Sequence, residues 1–224
     1  MKSFAQIEAR AVQLAGGAEA LAERLPKPKT VAALRKIGDD RYLSTMSQRI
    51  FAAGLKHSMV RDKWPAFEEA FLGFDPKRVA ALSDEALEAM MKDRRIIRHW
   101  GKIGATRVNA IAMTDIAAEH GSFGRWLADW PSTDIVGLWE VLKRQFAQLG
   151  GMSGPMFLRW MGKDTFMLSE DVVRALNGLG VAKGGFTGKK DRLAAQAAFN
   201  GWMAESSKPL SQISMTLAIF AGTD

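Results

Sequence analysis

The sequence predicts an all-α chain, and three observations carry that prediction. Apolar residues recur at spacings of three and four through most of the 224 residues. Alternating Val/Ile/Thr runs, the mark of half-buried strands, do not appear, and there is a single tyrosine. The periodic stretches are separated by glycine pairs, prolines and Ser/Asp clusters, the residues that stop and start helices. With 47% apolar and 25% charged residues the chain can bury a core, which argues against disorder.

The elements follow in order. A first helical stretch is expected over 4–24, with Phe4, Ile7, Ala11 and Leu14 on one face, an interruption at Gly16-Gly17 and a stop at Pro26-Lys27-Pro28. Further helices start near Thr30 and Asp39, and the run 42–60 is apolar enough for one central buried helix. Phe67, Phe71 and Phe74 share a helical face. Ser83 can accept from first-turn amides, and Asp84 and Glu85 complement the dipole, so a helix opens there and closes near Arg94. The longest helix is expected over 102–120, with Gly121 as its stop. Ser122 opens a short segment with Phe123, Trp126 and Trp130, ended by Pro131. Ser132-Thr133-Asp134 then caps a helix through about Phe146. Helices over 156–161, 170–179, 192–205 and 209–220 complete the chain, with 183–190 as an exposed loop.

Composition removes several function classes. There is no cysteine, so disulfides, thiolate metal sites and cysteine nucleophiles are excluded. His57, His99 and His120 match no zinc spacing, and neither a metal nor a cofactor is expected. No segment approaches the roughly 18 apolar residues of a membrane helix, and the first residues lack the pattern of a secretory signal. A cytoplasmic protein without membrane contact is expected. Thirty-one Lys and Arg against 24 Asp and Glu give +7, which favours a polyanionic partner.

The most specific local feature is Leu149-Gly150-Gly151-Met152-Ser153-Gly154-Pro155 between two helices. A tight turn of this kind leaves amides unpaired at the second helix's start. Together with the helix dipole they suit a phosphate, and glycine lets a nucleic-acid backbone approach. Gly150, Gly151, Ser153 and Gly154 are the candidate DNA contacts; the other reading is an ordinary αα-turn that needs glycine for its dihedrals. Arg94-Arg95, Arg98-His99 and Lys102 form a basic cluster, read either as phosphate contacts or as a solvated face. Downstream, Glu170 and Asp171 are candidate catalytic carboxylates or simply first-turn residues of a helix capped by Ser169. The seven tryptophans are read as core, with one or two open to base stacking.

Phe71-Leu72-Gly73-Phe74-Asp75-Pro76, Val79-Ala80-Ala81-Leu82 and Ile96-Ile97-Arg98-His99-Trp100-Gly101-Lys102-Ile103 with Asn109-Ala110 resemble the corresponding run of the 3-methyladenine DNA glycosylase I family. Ala53-Gly54-Leu55 is similar to a short motif in that family's pocket-forming helix, and the resemblance spans about 39–173. It implies a helix-hairpin-helix glycosylase fold of two helical lobes: 1–61 with 180–224, and 62–179 carrying the hairpin at 149–155. It implies an enzyme that flips a damaged base from duplex DNA and hydrolyses its N-glycosidic bond. The wider superfamily usually carries an aspartate after the hairpin that meets the sugar cation, a role Asp171 or Glu170 would fill. The resembled family typically works without it, and by counting to Arg174 the aspartate's place falls on Ser169 better than on Asp171. Arg98, His99 and Lys102 fall in the matched signature, which supports phosphate contact.

Three departures accompany the matches. Typical members hold a zinc ion with cysteines and histidines near both chain ends; here helices within 4–34 are expected to replace it by packing. The family's pocket glutamate falls on Arg49 and its pocket tryptophan on His57, so Arg49, Gly54 and His57 form the expected base pocket. In the hairpin, Ser153 stands where the superfamily has its second glycine, with Gly154 one step later. The expected partner is double-stranded DNA with a damaged base, bound by a monomer. The function is excision of an alkylated, 3-methyladenine-like purine. The alternatives are a damaged-DNA-binding protein on the same scaffold without glycosylase activity, and a helical protein–protein adaptor.

Overall fold

Several helix starts follow local capping chemistry. The computed structural model describes residues 2–222 and, among them, is built of α-helices joined by turns without a strand. Ser3, Thr30, Ser83, Ser122 and Ser169 each cap a helix by accepting an amide three residues on. Gly16 ends the first helix in the left-handed region, and Gly121 closes the longest one.

The chain divides into two compact units. The first takes the described residues of Met1–Lys29, Pro131–Leu138 and Gly162–Asp224. It contains α1 (Phe4–Ala15), α2 (Ala18–Arg24), α12 (Glu170–Gly178), α13 (Lys189–Ser206) and α14 (Leu210–Phe220). Here α1 packs on α13 and α14, and α12 on α14. Phe166 stacks on Phe199 with centroids 4.2 Å apart. Polar contacts join the two chain ends. The Glu205 carboxylate accepts the Phe4 amide at 2.9 Å, Trp202 donates to the Lys2 carbonyl at 3.3 Å, and Lys208 pairs with Glu8 at 2.8 Å. The Asp164 carboxylate accepts the amides of Leu210 and Ser211 and so starts α14.

The second unit is Thr30–Trp130 with Trp139–Met161. It holds α3 (Val31–Arg35), α4 (Asp39–Ala52), α5 (His57–Ala70), α6 (Pro76–Ala80), α7 (Asp84–Met90), α8 (Trp100–His120), α9 (Phe123–Asp129) and α11 (Ser153–Met161). The helix α10 (Ile135–Gln145) begins in the first unit and ends in the second. Trp64, Phe67, Phe71 and Phe74 form one stacked aromatic cluster, with Phe51 tilted against Phe67. Burying rings of this size contributes about 1.5–3 kcal/mol each, so this cluster is a main source of the unit's cohesion.

Two sequence expectations shift here. The run 42–60 is two helices: α4 stops at Ala52, and Gly54 turns the chain at φ +78° before α5 starts at His57. The Ala53-Gly54-Leu55 motif is thus a turn. Residues 30–61 group with 62–130, and not with the chain ends as the sequence suggests, because α3 packs on α9 and α4 on α8 and α11. Residues 162–179 group with the chain ends for the same reason, through α12 on α14. Periodicity shows that a helix has an apolar face; it does not show which helix covers it.

One polar network has a pH signature. Glu68 accepts from Arg41 at 2.8 and 2.9 Å and from the Ser44 hydroxyl at 2.7 Å, and Ser44 in turn accepts from the Trp64 indole at 3.0 Å. Burial by itself raises the Glu68 pKa, but the Arg41 and Ser44 hydrogen bonds outweigh it and hold the carboxyl below its ordinary 4.5. The folded state thus binds this proton less readily than the unfolded chain does. The stabilisation is present above the ordinary glutamate range and is lost as pH falls through the depressed value. Urea midpoints measured against pH should fall more steeply below pH 4.5 for the native chain than for Glu68→Gln. Parallel curves would show that Glu68 contributes nothing to the acid limb.

Candidate nucleic-acid interface

The glycine-rich segment folds as a tight turn between α10 and α11. Phe146 and Leu149 point inward and are buried, while Gly151 is exposed at the tip with φ +58°. The Ser153 amide donates to the Gly150 carbonyl at 3.2 Å, and the Met156 amide to the Met152 carbonyl at 3.0 Å. The amides of Gly151 and Met152 meet no acceptor among the described residues. The Gly154 amide lies in the first helical turn, where no intrahelical acceptor exists. Gly154 is required by space: a Cβ there would stand 2.9 Å from the Leu149 carbonyl oxygen.

Two side chains hold the turn from outside. Asn109 on α8 is fully buried; its Oδ1 accepts the Ala147 amide at 2.7 Å and its Nδ2 donates to the Ala147 carbonyl at 3.2 Å. Gln148 donates through Nε2 to the Gly101 carbonyl at 2.8 Å, tying the turn to the start of α8. From the sequence, Asn109 has no role beyond its place in a matched run. A polar residue between apolar neighbours on a buried helix face was the available signal, since buried amides find partners.

The matched basic segment divides. Arg98 is exposed beside the α8 start, and Lys143 and Arg144 are exposed in the last turn of α10. His99 is the cap of α8, its Nδ1 accepting the Lys102 amide at 3.3 Å. Lys102, expected on a phosphate, is turned inward and only 8% exposed. Its Nζ donates to the carbonyls of Phe51 at 3.1 Å and Ala53 at 2.8 Å, the negative end of the α4 dipole. Burial, and then the charge of Arg49, push the Lys102 ammonium below the usual lysine range. Its charge is thus spent on α4.

The expected pocket residues lie around the end of α4. Gly54 is exposed in the turn. His57 opens α5 and meets Trp160 of α11 edge-on, with centroids 5.6 Å apart and planes at 83°. These two rings, with Gln48, Ala52, Val60 and Arg61, line a hollow of about 180 Å³. Trp160 was not separable by sequence from the other six tryptophans. Arg49 sits on the adjoining face of α4, half-buried, with its Nε buried and without an acceptor; burial lowers its pKa. A larger hollow of about 570 Å³ is lined by Asp39, Asp75 and Lys77. Two of its carboxylates cap helices, Asp39 accepting from Phe123 and Gly124 and Asp75 from Arg78, and the third, Asp40, pairs with Arg41.

Glu170 and Asp171 belong to the first unit, whereas the hairpin belongs to the second. Both stand in the first turn of α12 behind the Ser169 cap; Glu170 is exposed, and Asp171 pairs with Arg174 at 3.0 Å.

Solved structures share this architecture. A mutant of 3-methyladenine DNA glycosylase I from Staphylococcus aureus matches with a TM-score of 0.52 and 23% identity over 62% of this chain and 81% of that one. A structure on 3-methyladenine recognition by the Staphylococcus aureus enzyme matches with a TM-score of 0.51 and 22% identity, over 62% and 80%. The fold is therefore that of a type I 3-methyladenine DNA glycosylase. A family model for methyladenine glycosylase matches residues 34–148, and the chain belongs to that family. DNA-3-methyladenine glycosylase 1 of Escherichia coli (strain K12) is 43% identical over 60 residues, 27% of this chain. That match spans about a third, 32%, of the curated relative's length.

The residues present do not fit the zinc site of typical members. The chain has no cysteine, and no group of three His, Asp or Glu among the described residues is placed to hold a metal. His99 is committed to capping α8, and His57 lies against Trp160.

Proposed function

We propose that this protein is a DNA base-excision glycosylase: it binds damaged duplex DNA, flips out an alkylated purine of the 3-methyladenine kind and hydrolyses its N-glycosidic bond. The observation that carries the reading is the hairpin. An exposed glycine tip with unpaired amides, clamped by Asn109 and Gln148, is flanked by Arg98, Lys143 and Arg144. Amides at a helix start and nearby cations suit a phosphate. Family membership supports the chemistry.

The base would enter beside Arg49, Gly54 and His57. The sugar's developing cation would be met by the DNA phosphates; Asp171 and Glu170 stay candidate carboxylates for it, and Asp171 would first release Arg174. No helix among the described residues is long and apolar enough to cross a membrane, and we place the protein in the cytoplasm as a monomer.

Incubation with methylated duplex DNA, reading free bases by chromatography, tests the reading. Release of a methylated purine is expected. Duplex retardation without release would leave a damage-binding protein, and no retardation at low salt would leave a helical adaptor. Arg98→Ala should weaken duplex binding alike for all sequences and reduce the slope of log affinity against log salt by about one. An unchanged slope would remove Arg98 from the interface.

A further inference from the structure

The hollow of about 180 Å³ beside the end of α4 has two kinds of lining. Ala52 and Val60 are apolar and buried. Gln48, His57, Arg61 and Trp160 carry polar groups, and none of these four side chains makes a hydrogen bond or an ion pair among the described residues. The Gln48 amide and the Trp160 indole N–H stay open to solvent, so a ligand can reach them. A ring contact steadies Trp160: His57 meets it edge-on, with centroids 5.6 Å apart. An apolar floor, an aromatic wall and a free amide suit a flat heterocycle with polar edges. No carboxylate lies in this lining, so a positively charged ring is held here through an aromatic face.

We propose that Trp160 and Gln48 recognise the flipped base: Trp160 stacks on its positively charged ring, and the Gln48 amide pairs with the N6/N7 edge of an adenine. The proposal rests on the glycosylase reading and assigns its substrate selection to two residues of one hollow. An indole face attracts a flat cation more than any other side-chain ring does. A 3-methylated adenine in DNA carries that charge and an intact adenine does not, so the stack separates damaged from undamaged. The amide separates adenine from guanine. It donates to N7 and accepts from the N6 amino group, whereas guanine shows two acceptors at the same edge. Methylation of guanine at N7 blocks that edge further. Arg61, exposed and without an ion pair, is left for the phosphate of the flipped nucleotide.

Duplex DNA treated with a methylating agent holds both 3-methyladenine and N7-methylguanine, so the released bases report both choices at once. The native chain should release 3-methyladenine at least about tenfold faster than N7-methylguanine. Gln48→Ala should shrink that ratio about tenfold. Trp160→Ala should slow 3-methyladenine release about tenfold, and Trp160→Phe should keep most of the rate. Free 3-methyladenine is the second probe. It should quench the fluorescence of the native chain, and Trp160→Phe should lose that quench while calorimetry still finds binding. An indole that served the fold alone would leave the quench in place. Circular dichroism checks folding, and Gln48→Ala with Trp160→Phe carry the test if Trp160→Ala does not fold. A quench that survives Trp160→Phe overturns the proposal, as does a release ratio that Gln48→Ala leaves unchanged. Binding of the free base that depends on Trp160 and Gln48, without release from DNA, would keep the proposal and sink the glycosylase reading. Release indifferent to both substitutions would do the reverse.

Discussion

Replacing Gly154 by alanine is expected to destabilise the hairpin by about 1–3 kcal/mol, the usual range for forcing an extra carbon into a packed site. The added Cβ would lie 2.9 Å from the Leu149 carbonyl oxygen, a backbone atom that cannot rotate aside. Relief requires Leu149 or the start of α11 to move, yet Leu149 is buried and Pro155 follows directly. The amides around Gly151 then lose their common direction. A hydrogen bond from an amide to a charged acceptor contributes about 1.5–3 kcal/mol, and 1.4 kcal/mol is tenfold in affinity. Duplex affinity should therefore fall by about tenfold to a hundredfold in Gly154→Ala. Gly151→Ala adds strain through its φ of +58° but meets no atom within 4 Å, so it should cost less. Urea denaturation and gel retardation on both variants check the order. A Gly154→Ala protein that binds DNA like the native chain would detach the hairpin from DNA.

Asn109→Ala should cost about 2–3 kcal/mol of stability, because two backbone groups lose partners together. The buried amide accepts from the Ala147 N–H and donates to the Ala147 carbonyl, a pairing that fixes the residue just before the turn. Ala147 is itself part-exposed, so water recovers some of the loss. Asn109→Asp should not rescue, since a carboxylate cannot donate to the carbonyl and would sit buried and charged. DNA affinity should fall beyond the stability loss, measured where the variant is still fully folded. If Asn109→Ala unfolds early but binds normally, the clamp serves the fold alone.

Helical class was legible from residue order, since periodicity and caps are local properties. Ser83, Ser122 and Ser169 start helices where their side chains reach amides three residues away, and Gly121 stops one. The glycine turn between two helices was legible for the same reason, as was the run that ties the chain to its family.

Partner choice was not legible. Lys102 reads as one more cation in a basic segment, but carbonyls some fifty residues earlier claim it. Asn109 reads as an interruption of an apolar face, and only α8 lying against the turn gives it a purpose. Trp160 is set apart by facing His57 across the hollow, a neighbour that only packing supplies. Residue order by itself determined that the chain is helical, where the capped helices start and that a glycine-rich turn joins two of them. Tertiary structure alone decided which charges stay available. A long side chain bonds to whatever acceptor packing brings within its reach, and packing joins segments that are distant along the chain.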